Sequence, residues 1–312
     1  MPLSPANNTL VVPMSALSAF RRCPKSYELG YVRLLDPIIV SDAVTEGSGF
    51  HREMEAYANE RRGVKTQPFQ SSDAMHEVAV EYLRRKGAAE FDAMAQVIAV
   101  EQPLFTKVAP HPKMVPVVQA AFSQDPLPDV YLRTTFDLVY KYTDDAKAGW
   151  IAGRDYKTFE RAPTLDVDLD FQGRIYIAAL MQYFKTDRVR FEYEYVRRVV
   201  PGTKNSKGAW TQDECYINVP LVISADEARQ LWSEVQMDVG KLLIAYALGG
   251  SAWGRYDLKA GPHSCNSCFY KQLCKMDMAG SLDEQSAREF ANKREAPALP
   301  PEEPGTNPEA PR

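Results

Sequence analysis

At 312 residues, with 45% hydrophobic and 25% charged side chains, the chain has the composition of an ordinary globular protein, large enough for one big core or two. No apolar run is long enough to span a bilayer, and the opening Met1-Pro2-Leu3-Ser4-Pro5 lacks the basic-then-apolar order of a secretory signal, so the expectation is a cytoplasmic protein whose five cysteines stay reduced and serve metal or chemistry. A net charge of −4 excludes a globally basic nucleic-acid binder, so any groove for a polyanion must be local.

In chain order, residues 1–13 read as an unstructured lead-in. Ser15 is the expected N-cap of a helix through Cys23, which Pro24 interrupts, and Tyr27, Leu29, Tyr31 and Val32 continue an apolar, aromatic segment. Asp42 to Gly49 reads as a polar loop, followed by a helix from Phe50 to Arg62 with His51, Met54 and Tyr57 on one face. A third helix spans Ala74 to Lys86, with Arg84, Arg85 and Lys86 where cations suit the helix dipole. Val97–Val108, Val130–Tyr140 and Trp150–Lys157 are expected strands, with a hairpin turn at Asp144-Asp145 between the last two. A helix from Leu169 to Phe184, strands over Val189–Val200 and Glu214–Ile223, and a long helix from Asp226 to Ala247 follow. Residues 250–275 are rich in Cys, Gly and His. The six prolines from Pro297 to Pro311 mark a disordered tail.

The chemistry concentrates in Asp155-Tyr156-Lys157. This triplet ends a strand, where residues i and i+2 face the same way, so Asp155 and Lys157 point into one cleft and Tyr156 to the opposite face. Asp137, on the preceding strand, brings a second carboxylate within reach. Two carboxylates so close repel unless a cation neutralises them, which points to Mg²⁺ or Mn²⁺ and to activation of a phosphodiester. Lys157 would hold the attacking water or stabilise developing negative charge. A plain surface ladder of Asp and Lys is the competing reading. His51 is either a core histidine or a further metal ligand. Gln172 and Tyr176 share a helical face and either reach a phosphate or base, or are simply surface and core. Cys265, Cys268 and Cys274 form a C-x₂-C-x₅-C run. Closed zinc and iron–sulfur sites both favour four ligands, which leaves the fourth to Cys23, Cys215 or His263.

Taken together and in order, these motifs resemble the PD-(D/E)xK nuclease superfamily, specifically RecB-like exonucleases of the CRISPR-associated Cas-four type. Ser15 to Pro24 resembles the family's opening helix, which ends in a cysteine followed by proline. His51 matches its helical histidine, Asp137 its first acid, and Asp155 and Lys157 its D-x-K. Gln172 and Tyr176 match its Q-x₃-Y, and Cys265, Cys268 and Cys274 its trailing cysteines. The resemblance implies a restriction-endonuclease-like α/β fold, a mixed sheet flanked by helices, with the N- and C-terminal segments joined at a [4Fe–4S] cluster on Cys23, Cys265, Cys268 and Cys274. Zn²⁺ at those cysteines is the alternative. It implies a single nuclease domain over residues 1–275 and an extension over 276–312, disordered from about 297. The implied activity is Mg²⁺- or Mn²⁺-dependent hydrolysis of DNA, exonucleolytic on single strands or ends, in recombination, repair or replication. His51, Asp137, Asp155 and the Tyr156 carbonyl would hold the metal, and Gln172 and Tyr176 would position the strand. Arg21, Arg22 and Tyr27 would line its path. A catalytically idle DNA-binding or recombination-partner subunit is the rival, and protein partners or a homo-oligomer are compatible with either.

Overall fold

The computed structural model describes residues 8–38, 42–64, 73–123, 126–142, 148–160, 171–206, 208–248, 265 and 268–293. Its elements in chain order are β1 (Thr9–Pro13), α1 (Met14–Arg22), α2 (Pro24–Tyr27, continued by a wider π-type turn over Glu28–Val32), β2 (Leu35–Pro37), α3 (Asp42–Arg61), α4 (Asp73–Tyr82, continued by a π-type turn over Leu83–Gly87), α5 (Ala88–Ala93), β3 (Met94–Val100), β4 (Pro103–Lys107), α6 (Val115–Ala121), β5 (Asp129–Thr135), β6 (Leu138–Tyr142), β7 (Ile151–Phe159), α7 (Phe171–Phe184), β8 (Val189–Arg197), β9 (Lys204–Asn205), β10 (Gly208–Ala209), α8 (Gln212–Cys215), β11 (Tyr216–Leu221), α9 (Ala225–Leu248), α10 (Lys271–Met278), α11 (Glu284–Arg288) and β12 (Ala291–Lys293). The chain divides into two compact units. One comprises Met1–Val40, Phe105–Thr134 and Gln230–Thr306, and the other Ser41–Leu104, Thr135–Arg229 and Asn307–Arg312.

In the first unit the end of the expected lead-in, Thr9–Pro13, is instead a strand. Leu10, Val11 and Val12 are buried, and β1 runs parallel to β5, with Leu10 opposite Val130 and Val12 opposite Leu132. The run is short, so its strand character depends on a partner that is remote in sequence. The first helix starts at Met14 with Pro13 at its N-cap and no side-chain cap, so Ser15 lies inside it. Cys23 is extended, and Pro24 opens α2 at the position where its missing amide costs nothing. The chain ends meet in this unit. Strands β2 and β12 pair antiparallel, Leu29 packs with Leu273, Ala287 and Ala291, and Lys25 and Arg33 both form ion pairs with Asp277. Tyr27 is fully buried with its hydroxyl against that of Tyr246, and Arg21 is held by Asp238 and Glu234. Tyr27 is thus a core residue, whereas Arg21 stays partly exposed and lines a surface pocket with Arg22 and Lys241.

The second unit is built on a five-stranded sheet in the order β11-β8-β7-β6-β3, antiparallel except for the β7–β8 pair, whose crossover carries α7. This is the expected mixed α/β arrangement. Gly153 admits the helix, since a Cβ there would lie 2.9 Å from Phe136 and 3.0 Å from Leu180. The alternation along β7 turns Arg154 and Tyr156 away from Asp155 and Lys157. Tyr156 enters an aromatic core with Phe50, Tyr82 and Tyr216, while Arg154 forms 2.7 Å bonds to Glu192 and Glu90.

Three expected elements differ here. Asp42–Gly49 is the start of α3 rather than a loop. Its glycines do not break the helix, and Gly47 lies in ordinary contact with Thr158, where a Cβ would be 3.4 Å from the hydroxyl. The expected strand over 97–108 breaks after Val100, where Glu101 adopts φ of 49° and Pro103 withdraws an amide from the ladder. The strand over 130–140 also breaks, at Phe136-Asp137. The turn at Asp144-Asp145, the helix start at Leu169, His263 and the tail from 297 lie outside the described residues.

Candidate active site

Glu101 and Asp137 sit just beyond the ends of β3 and β6, and Asp155 lies midway along β7 beside them. The β6–β7 register pairs Leu138 with Arg154, so Asp137 and Asp155 are the next residues along, and Asp137 Oδ2 accepts the Tyr156 amide at 2.5 Å. Across the gap left by the β3–β4 break, the Glu101 amide donates to the Asp137 carbonyl at 3.3 Å, which fixes the two turns together. Helix α3 then delivers His51, whose Nδ1 lies 3.1 Å from Asp137 Oδ1 and 3.9 Å from Glu101 Oε1. Lys157 Nζ pairs with Asp155 Oδ2 at 2.5 Å, as their shared strand face requires.

The electrostatics follow from this crowding. Burial pushes the Asp137 carboxyl up to about 7, with the Asp155 charge adding to it and His51 opposing it. Burial pulls His51 down, but its hydrogen bonds to Asp137 and Glu101 outweigh that and raise it to about 10. Burial also favours the neutral form of Glu101, yet the bonds to His51 and Asp137 leave it lowered. The site is short of positive charge and recruits a proton on the imidazole to supply it. His51, Glu101 and Asp137 each offer a ligand atom within 4.8 Å of the others, and among the described residues they alone form such a group. One imidazole and two carboxylates are a donor set suited to Mg²⁺ or Mn²⁺.

The sequence reading missed Glu101. Its one local signal was the Gln102-Pro103 pair, which should have ended the strand and placed a carboxylate at its tip. Next to the trio lies a cleft of about 600 Å³ lined by His51, Glu101 and Lys157 together with Arg52, Glu55 and Arg198. Asp137 and Asp155 are recessed from it, with side chains 12% and 10% exposed. Gln172 and Tyr176 bond to each other at 2.9 Å, and the Tyr176 ring packs 4.7 Å from Phe136 and 5.2 Å from Phe191. Tyr176 is therefore a core residue with a polar tip, and neither member of the pair lines the cleft.

The sequence matches the PD-(D/E)XK nuclease superfamily over residues 12–275, a stretch that includes every candidate residue above. The chain belongs to the PD-(D/E)XK nuclease superfamily. The membership makes it a nuclease by family, one that implies nucleic-acid binding, and the acidic trio fits the divalent metal such nucleases use. No curated protein matches the chain. Among solved structures, the crystal structure of SSO0001 is 12% identical with a TM-score of 0.37, covering 88% of this chain and 87% of that one, a likeness too distant to add to the assignment. No helix among the described residues of this superfamily member is long and apolar enough to cross a membrane.

None of its five cysteines forms a disulfide. Cys23, Cys265, Cys268 and Cys274 all fall in the first unit, on the two chain ends that pack together there. The Cys268 amide donates to the Cys265 carbonyl at 3.3 Å, and the Cys274 amide to the Tyr270 carbonyl at 2.8 Å. Cys215 is fully buried in the aromatic core of the second unit.

Proposed function

We propose that this protein is a metal-dependent deoxyribonuclease acting exonucleolytically on single strands or DNA ends, in recombination, repair or replication. The observation that carries the reading is the His51–Glu101–Asp137 trio beside the Asp155–Lys157 pair. His51, Asp137, Asp155 and the Tyr156 carbonyl, joined by Glu101, would hold Mg²⁺ or Mn²⁺. Such a cation, when bound, polarises a phosphodiester and acidifies a water. Lys157 keeps its proton: burial works against the charge, but Asp155 and Asp137 raise its pKa above the usual value. As a cation at the cleft surface it orients the attacking water and balances negative charge developing on the phosphate. Gln172 and Tyr176 position the strand indirectly, through the packing of Tyr176 on Phe136, the neighbour of Asp137.

At the chain ends, Cys23, Cys265, Cys268 and Cys274 supply four thiols for a structural [4Fe–4S] cluster. Their segments are already joined by the β2–β12 pair and the ion pairs to Asp277. The test of the nuclease reading is cleavage of end-labelled single-stranded and duplex DNA with Mg²⁺ or Mn²⁺. Asp155→Ala and Lys157→Ala are expected to lose roughly 100-fold or more in rate, on the scale of removing one electrostatic stabiliser, with an unchanged far-UV spectrum. Wild-type rates in either variant would move the site elsewhere.

A further inference from the structure

The cleft holds two arginines that the chemistry above does not use. Arg52 directly follows His51 on α3 and is exposed. Arg198 directly follows β8, and its amide donates to the Phe159 carbonyl at 3.1 Å. Because β7 and β8 are parallel, this bond fixes Arg198 at the rim where both strands end. Both arginines line the same cleft as His51, Glu101 and Lys157.

We propose that Arg52 and Arg198 form an anion subsite for the phosphate next to the scissile one. This rests on the nuclease reading above and extends it from the reacting phosphate to the strand that carries it. Phe159 lies four positions beyond Asp155, or about 13 Å along the extended strand. A guanidinium anchored beside Phe159 therefore meets a neighbouring phosphate rather than the one over Asp155. Glu55 and Glu101 line the same cleft, with Asp137 and Asp155 recessed from it. Carboxylates alone would repel a polyanion, and the protein's net charge of −4 gives no long-range attraction to offset that. Two planar guanidiniums with forked donors match phosphate oxygens and offset the repulsion locally.

The experiment compares wild type with Arg52→Ala, Arg198→Ala and Arg198→Lys. It measures steady-state cleavage and, with Ca²⁺ in place of Mg²⁺, binding of a fluorescent single-stranded oligonucleotide at several salt concentrations. The probes are repeated with one neutral methylphosphonate placed at each linkage in turn. Each alanine variant is expected to weaken binding and raise KM on the order of tenfold, the effect of removing one charge-assisted hydrogen bond, with kcat little changed. The slope of log K against log salt should fall by roughly 0.7 for each phosphate no longer neutralised. A methylphosphonate one linkage from the cut should weaken wild type but not Arg198→Ala, and Arg198→Lys should recover part of the loss. Unchanged affinity and slope in both alanine variants would overturn the subsite, as would a methylphosphonate penalty equal in variant and wild type. Should Arg198→Ala fail to fold, Arg52→Ala, on an exposed helix position, decides the matter. Absence of cleavage by wild type would instead overturn the nuclease reading, leaving the subsite to the binding measurements.

Discussion

Glu101 is the residue where structure and chemistry pull in different directions. Its φ of 49° is one that a side chain with a Cβ adopts at a cost of roughly 1–2 kcal/mol. The strain is tolerated where the amide bond to Asp137 locks the turn, and it aims a carboxylate at His51. Replacing Glu101 with glycine removes strain and ligand together. Glu101→Gly is expected to melt no lower than wild type without metal, yet to lose the stabilisation that Mn²⁺ gives wild type and most of its DNA cleavage. Calorimetry with and without Mn²⁺ reads both effects, and a large drop in metal-free stability would show that the turn needs its glutamate. Tyr176 poses a similar question. Its ring is core, so Tyr176→Phe should leave the melting temperature within a degree or two while raising KM several-fold if the bond to Gln172 helps to place the strand; an unchanged KM would make the pair purely structural.

Among the elements, β7 and β8 bear the heaviest electrostatic load. Burial works to raise the Glu192 carboxyl, but the Arg154 and Arg190 guanidiniums, with a hydrogen bond from Tyr142, hold it down at about 2. With the folded pKa below the usual 4.5, the native state resists protonation more than the unfolded chain does. The stabilisation, about 3 kcal/mol, is therefore fully present above pH 4.5 and lost as pH falls toward 2. Glu192→Gln should lose about 3 kcal/mol at pH 7, because it removes one of the two carboxylates that pair with Arg154 in the core. Its stability should also fall less steeply than that of wild type over the acid range. Parallel denaturant titrations at pH 7, 4.5 and 3 would show it, and equal acid slopes would dismiss the pair as the cause. The alternation that separates Arg154 from Asp155 was legible in the sequence because a period of two is local. The helix of α7 and the hairpin pairing of β6 with β7 were legible for the same reason. What was not legible depends on distant partners. The Leu10–Val12 run becomes a strand only against β5, and Asp42–Gly49 joins α3 despite its two glycines. The breaks at Glu101 and Asp137 fall where the chain leaves one sheet for another, which no window of a few residues records.

For the whole molecule, the cysteines give the sharpest expectation. Cys23→Ser should lose iron and acid-labile sulfide, melt earlier and cleave DNA more slowly, although it touches no group in the acidic cleft. Cys215→Ser is the control for iron alone. That thiol is fully buried, so a hydroxyl in its place costs about 1–3 kcal/mol while the iron content stays whole. A full iron complement in Cys23→Ser would remove it from the ligand set.

The meeting of the chain ends also sets an order of birth. Every described residue of the second unit lies between Asp42 and Arg229, so a ribosome finishes that sheet before it reaches Leu273. The face of Leu29 that packs on Leu273 must wait for 244 further residues (273 − 29), which at 5–20 residues per second is roughly 10–50 s. For the last 44 of those residues (273 − 229) the newborn chain carries the apolar Leu29 face without its C-terminal partners beside an already complete second unit, and it is this half-made state, rather than the mature enzyme, that a holding chaperone would meet.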